Sequence, residues 1–168
     1  MNADLEVHQG DITQLNVDVI VNAANAQLAG GGGVDGAIHR AAGDELYTAC
    51  RAIGGCPTGE VRKTAGFKLP AKAIYQAVGP IWDGGAYGEA ELLASCYRQA
   101  MALLQNDNYL SIAFPAISCG VYHFPLLQAA AIAVREVSLA AENNDQLQQV
   151  IFCCFDKKTA DVYRSLLS

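Results

Sequence analysis

Asp35 lies in the stretch LAGGGGVDGAIH, Leu28 to His39, behind four consecutive glycines and at the opening of a helical pattern. A carboxylate in that place orients or deprotonates a water or a sugar hydroxyl, and the positive end of the helix dipole favours its ionised form. The same dipole also accounts for an aspartate with no chemical duty. His39 follows four residues later on a neighbouring helical face, so an Asp–His pair is within reach; Ile38 and Ala42 turn the helix toward a core, which makes the imidazole equally a packing group. Asn25, just beyond an apolar strand pattern, carries an amide that both donates to and accepts from a hydroxyl, and by residue type it serves as well in a turn. Cys119 sits in a loop ahead of another helix, a setting that can lower a thiol pKa and free a nucleophile. His123, in the same loop, reads as exposed.

Gly31, Gly33 and Gly36 fit the G-x-G-x-x-G spacing of dinucleotide-binding dehydrogenases. The fit is poor, because AANAQLAG separates these glycines from their strand and no second strand ends in an acid at the proper distance. No G-K-[ST] follows, which excludes a P-loop. The physics common to both motifs survives: Gly31, Gly32, Gly33 and Val34 offer backbone N–H groups at a helix start with no side chain in the way, and so hold phosphate without a lysine. A flexible loop is the plain alternative for one glycine run. A second stretch, FPAISCGVYHFP from Phe114 to Pro125, leaves an apolar strand, turns through Ser118, Cys119, Gly120, Val121 and Tyr122, and enters a helix. Two such loops converge at the carboxyl edge of an open α/β sheet, where together they suit a pyrophosphate.

Strand patterns supply that sheet: VDVIVNAA (17–24), EVRKTAG (60–66), KAIYQAV (72–78), LSIAFPAI (110–117), QVIFCCF (149–155) and, more weakly, DLEVHQ (4–9). Helical patterns alternate with them, from Val34, from Gly88 with Leu93, Tyr97, Ala100 and Leu104 on one face, from Pro125 as first helical residue, and over KKTADVYRSLL with Val162, Ser165 and Leu166 as its stripe. The alternation predicts a three-layer α/β/α domain. Apolar runs at 19–21, 112–117 and 150–155 read as central strands buried on both faces, whereas EVRKTAG alternates and belongs to an edge or antiparallel pair, which makes the sheet mixed.

The chain is 168 residues long, 52% hydrophobic and 17% charged, a length that suits one domain with a self-sufficient core. Six cysteines without a C-x-x-C pair read as buried reduced thiols, with Cys153 and Cys154 on opposite faces of a strand, and no metal site is predicted. The apolar runs are too short to span a bilayer and MNADLEVHQGDIT lacks a leader pattern, so no membrane association and a cytoplasmic location are the expectation. A formal charge of −6 argues against direct duplex nucleic-acid binding.

Taken in order, GDIT (10–13), VDVIVNAAN (17–25), GGGGVDGAIHRAAG (30–43), CPTGE (56–60), VGPIW (78–82) and FPAISCGVYHFP (114–125) resemble a macrodomain across nearly the whole chain. Within that superfamily the chain is similar to the MacroD-type branch of bacterial O-acetyl-ADP-ribose deacetylases, which also remove mono-ADP-ribose from acidic side chains. The resemblance implies a single macrodomain over residues 1–168 with an α/β/α fold around a mixed, about six-stranded sheet. It implies ADP-ribose and its esters as ligands, ADP-ribosylated proteins among the partners, and no metal or redox cofactor. By position it makes Asn25 and Asp35 catalytic. It gives Asp11 the adenine amino group with Ile12 beside it, and places Phe155 and Asp156 against adenine and the proximal ribose. Gly31, Gly32, Gly33 and Val34 become the first phosphate loop, and Ser118, Cys119, Gly120, Val121 and Tyr122 the second, with Tyr122 over the distal ribose and Cys119 as a backbone donor. The connection CRAIGGCPTGE (50–60) is shorter than in many relatives, which leaves the choice among ADP-ribose esters open. A reader that binds ADP-ribose without turnover, and an ADP-ribose 1″-phosphatase, are the alternatives.

Overall fold

The computed structural model describes residues 3–168; Met1 and Asn2, the start of the segment read for a leader, lie outside them. The strands are β1 (Asp4–Gln9), β2 (Val19–Ala23), β3 (Val61–Ala65), β4 (Ala73–Ala77), β5 (Ser111–Phe114) and β6 (Gln149–Cys154). The helices are α1 (Gly33–Ala42), α2 (Glu45–Ile53), α3 (Glu89–Asn106), α4 (Leu126–Glu142) and α5 (Lys157–Leu167). One sheet runs β1-β6-β5-β2-β4-β3, parallel throughout except for the antiparallel β3–β4 pair at one edge. This is the mixed six-stranded α/β/α arrangement expected from the alternation of patterns.

Two apolar cores lie on either face of the sheet. Side chains alternate along a strand, so Val19 and Val21 of β2 face the core shared with α3, α4 and α5, while Ile20 faces the core shared with α1 and α2. Cys154 and Cys153 divide in the same way. On α3 the residues Leu93, Tyr97, Ala100 and Leu104 are all buried, as their spacing requires.

The ends of β5 and β6, the start of α4 and the buried face of α5 differ from the sequence reading. β5 stops at Phe114 because Pro115 has no N–H to extend the ladder, although the apolar run continues to a buried Ile117 in the loop. β6 stops at Cys154, and Phe155, read as the end of a buried run, is 92% exposed. Pro125 is the N-cap of α4 rather than its first residue. On α5 the buried residues are Ala160 and Tyr163, with Ser165 exposed, so the stripe is rotated from the predicted one. α2 and a single 3-10 turn, Ile12–Gln14, are additional elements.

β1, β6, β5 and β2 are consecutive and parallel, so their carboxyl ends open on one edge in that order. The segments leaving them are Asp11, Phe155–Asp156, the 115–125 loop and the 24–32 loop. Three inter-strand steps span about 14–15 Å, a length suited to a ligand with two nucleoside-like ends and a pyrophosphate between them.

Candidate active site

The two loops present their backbones as the glycine pattern requires. Gly32 is the N-cap of α1 and carries no side-chain cap bond, so the first helical N–H groups are left to a ligand or solvent. A Cβ at Gly32, Gly33 or Gly120 would meet nothing within 4 Å, which means that these residues face open space. Gly36 is used differently: a Cβ there would stand 2.5 Å from the carbonyl oxygen of Gly31. Its absence lets the loop fold back onto the first turn of α1. The second loop is held by Phe124 N–H donating to Ser118 O and His123 N–H to Gly120 O, both at 2.9 Å. Ser118 itself has φ +67, a strained conformation for a residue with a Cβ. Its buried hydroxyl has no protein partner.

Asp35 is 7% exposed in the first turn of α1. Its Oδ1 accepts from Asn22 Nδ2 at 2.8 Å and lies 3.4 Å from His39 Nε2. Its Oδ2 lies toward Gly31, 3.4 Å from where a Cβ on that glycine would be, and the Asn25 amide nitrogen is 3.9 Å from the same point. One carboxylate oxygen is therefore anchored and the other is turned toward the loop. His39, 2% exposed, packs against Tyr47 of α2 with ring centroids 4.2 Å apart and the rings tilted by 33°. The Asp–His pair forms, and the imidazole stands behind the carboxylate.

Asn25 spends its amide on its own loop, with Nδ2 donating to Gly30 O at 2.8 Å and Oδ1 accepting from Ala29 N–H at 3.0 Å. It is thus a turn residue in this structure, placed beside Asp35. Asp11 caps the 3-10 turn through Thr13 N–H at 2.9 Å and Thr13 Oγ1 at 2.7 Å, both on Oδ1. Ile12 is 4% exposed and belongs to the α1-side core, so it offers the edge a backbone and no side chain. Asp156 caps α5 through Thr159 N–H at 2.9 Å, and the Thr159 side chain, together with that backbone bond, holds its carboxyl below the usual range. Tyr122 and Val34 are half-buried, and Val121 is 85% exposed. Burial pushes the Cys119 thiol up to about 11, the reverse of what a nucleophile needs. Among the described residues no group of three or more His, Cys, Asp or Glu could hold a metal ion.

Asn22, Gln76 and Tyr47 were not singled out from the sequence. A polar residue inside VDVIVNAA was the available signal, because a buried amide must find partners. Tyr122 also links outward, its carbonyl accepting from Trp82 N–H at 2.8 Å. The segment after Trp82 is organised by Glu89, whose carboxylate accepts from the N–H groups of Asp83 and Gly85 at 2.9 Å and Tyr87 at 2.7 Å. Burial raises this carboxyl, and the backbone bonds more than reverse it, bringing it down to about 2 from an ordinary 4.5. A depressed carboxylate contributes stability that is full above its unfolded pKa and is lost as pH falls through the folded one. The melting temperature of the wild type is therefore expected to exceed that of Glu89→Gln at neutral pH, and the gap to narrow between pH 4.5 and 2. Thermal melts of both across that range check it.

A family model described as Macro domain matches residues 21–133, more than half of the chain. The chain belongs to the macrodomain family. A Salmonella newport protein named O-acetyl-ADP-ribose deacetylase is 54% identical over 172 aligned residues, covering 100% of this macrodomain and 96% of the relative. The structure of an Oceanobacillus iheyensis macrodomain with ADP superposes with a TM-score of 0.95 at 44% identity, covering 99% of this chain and 90% of that one. A Trypanosoma brucei macrodomain in complex with ADP-ribose matches at a TM-score of 0.93 and 39% identity, over 98% of this chain and 69% of the other. In this macrodomain no helix among the described residues is long and apolar enough to cross a membrane.

Proposed function

We propose that this macrodomain binds ADP-ribose along the carboxyl edge of β1, β6, β5 and β2 and hydrolyses esters on its distal ribose. O-acetyl-ADP-ribose is the substrate, and mono-ADP-ribose esters of aspartate and glutamate side chains are cleaved by the same chemistry. The observation that carries the reading is the buried Asp35 carboxylate, with Oδ1 anchored by Asn22 and Oδ2 turned toward the glycine loop beside Asn25. The name of the Salmonella relative supports the same substrate.

In this reading Asp11 and the Ile12 backbone meet adenine, the exposed Phe155 stacks on it, and Asp156 faces the proximal ribose. The N–H groups at the start of α1 and in the 118–122 loop hold the pyrophosphate, with the α1 dipole offsetting the negative charge of the chain. Tyr122 covers the distal ribose and Asn25 fixes the loop against which it lies. Asp35 Oδ2 takes a proton from water as the water oxygen adds to the acyl carbon. Collapse of the tetrahedral intermediate breaks the acyl–oxygen bond, and the proton passes to the ribose oxygen as it leaves. Acetic acid, which loses its proton to solvent as acetate, and ADP-ribose are the products, and the carboxylate is restored.

The test is release of acetate and ADP-ribose from O-acetyl-ADP-ribose, with ADP-ribose calorimetry on the same sample. Multiple turnovers are expected. Tight ADP-ribose binding without turnover would make the domain a reader and leave Asp35 as a contact.

A further inference from the structure

We propose that Gln76, acting through Asn22, is a positioning residue that locks the Asp35 carboxylate in its working orientation. The inference rests on Asp35 being the proton acceptor of the preceding section. Asn22 on β2 and Gln76 on β4 are register partners in adjacent parallel strands, 0% and 1% exposed. Asn22 Nδ2 has two hydrogens, and both are used: one goes to Asp35 Oδ1 and one to Gln76 Oε1, each at 2.8 Å. Gln76 Nε2 in turn donates to Thr64 Oγ1 on β3 at 3.4 Å.

With Asp35 ionised, this chain of bonds favours one orientation of the Asn22 amide. Turned over, Asn22 would set its oxygen against the Asp35 carboxylate and against Gln76 Oε1, and once Asp35 takes a proton the turned form still requires Gln76 to turn with it. Oδ1 is thereby held back and Oδ2 is left to face the loop. The arrangement also carries a standing penalty, because Asn22 Oδ1 and His39 Nδ1 are buried without partners. Apolar side chains would fill these positions without that penalty, so stability does not explain the amides. The titratable groups facing Asp35 are His39 from its own helix and Cys50 from α2, with Arg40 Nη1 beside Gly36; β2 and β4 bring only the neutral amides.

Gln76→Met keeps the volume and removes the acceptor. It is expected to lower kcat for O-acetyl-ADP-ribose by about 10- to 100-fold, as a misplaced reacting group does. ADP-ribose affinity is expected to stay within about twofold. Gln76→Glu, protonated in this buried place beside Asp35, keeps a carbonyl facing Asn22 and is expected to recover most of kcat. An unchanged kcat in Gln76→Met, with turnover abolished by Asp35→Asn, would overturn the inference alone. A parallel loss of kcat and ADP-ribose affinity would overturn it too, by showing a general structural role. Turnover retained in Asp35→Asn would instead overturn the reading on which it rests. Should Gln76→Met fail to fold, the wild type decides: the two Asn22 side-chain amide hydrogens, buried and both bonded, are expected to exchange with solvent far more slowly than those of an exposed amide, and exchange at the exposed rate would overturn it.

Discussion

Asp35→Asn is expected to lower kcat for O-acetyl-ADP-ribose by about 10²- to 10⁴-fold, the contribution of a positioned proton acceptor, while ADP-ribose affinity stays within about threefold. Asparagine is the informative replacement because of what each carboxylate oxygen does. Oδ1 accepts from Asn22 at 2.8 Å and faces His39 at 3.4 Å, and an asparagine oxygen can fill that place. The amide nitrogen then stands where Oδ2 was and has no lone pair to take a proton. Alanine would strip the acceptor from Asn22 as well, leaving a buried donor hydrogen unpaired at a penalty of about 1–3 kcal/mol. A loss of activity in that variant would mix chemistry with stability. Acetate release gives kcat and calorimetry gives the affinity of the same preparation. Equal losses in both would show that Asp35 is a binding contact.

Most of what places the site was legible because it is local. Short apolar runs bounded by breakers mark the strands, and a helical period marks α1, α3, α4 and α5. The alternating pattern of 60–66 correctly separated β3 from the buried parallel strands. α2 escaped because only Leu46 and Cys50 bury themselves on it, too few for a stripe to stand out in nine residues. The end of β5 escaped for a different reason: Ala116 and Ile117 continue the apolar run, but Pro115 ends the ladder before them.

The neighbours of β1 illustrate what a linear reading does not hold. Asp4 pairs with Gln149, so the Asp11 turn lies next to Phe155 only because the last strand inserts between β1 and β5. The same holds at the chemical end of the site. The partners of Asp35 come from thirteen residues upstream and, through Asn22, from a strand 54 residues further on. An aspartate at a helix start signals its own chemistry, while the amides that orient it come from register between strands. Asn25 shows the converse, since its residue type predicted either a turn or a hydroxyl contact and the structure shows the turn, at a position flanking the carboxylate.

Phe155→Ala is expected to weaken ADP-ribose binding by about 5- to 150-fold and to leave the melting temperature unchanged. The size follows from base–aromatic stacking, worth about 1–3 kcal/mol per base, at 1.4 kcal/mol for each factor of ten. The absence of a stability effect follows from position. Phe155 lies just past the end of β6, 92% exposed, and so takes little part in any core. Phe152, three residues earlier, is 1% exposed and packs between Phe114 and Tyr163, so truncating it would cost about 3–5 kcal/mol of stability. The contrast separates ligand contact from core packing within three residues of chain. A phenylalanine held in water at the edge where Asp11 also emerges loses apolar hydration when a flat base covers it, a driving force the unliganded protein leaves unused. Calorimetry with ADP-ribose and a thermal melt on the same variant give both quantities, and Phe155→Tyr is expected to retain binding because the ring face remains. Unchanged affinity in Phe155→Ala would remove the base from this end of the sheet edge and, with it, the order of subsites from β1 to β2.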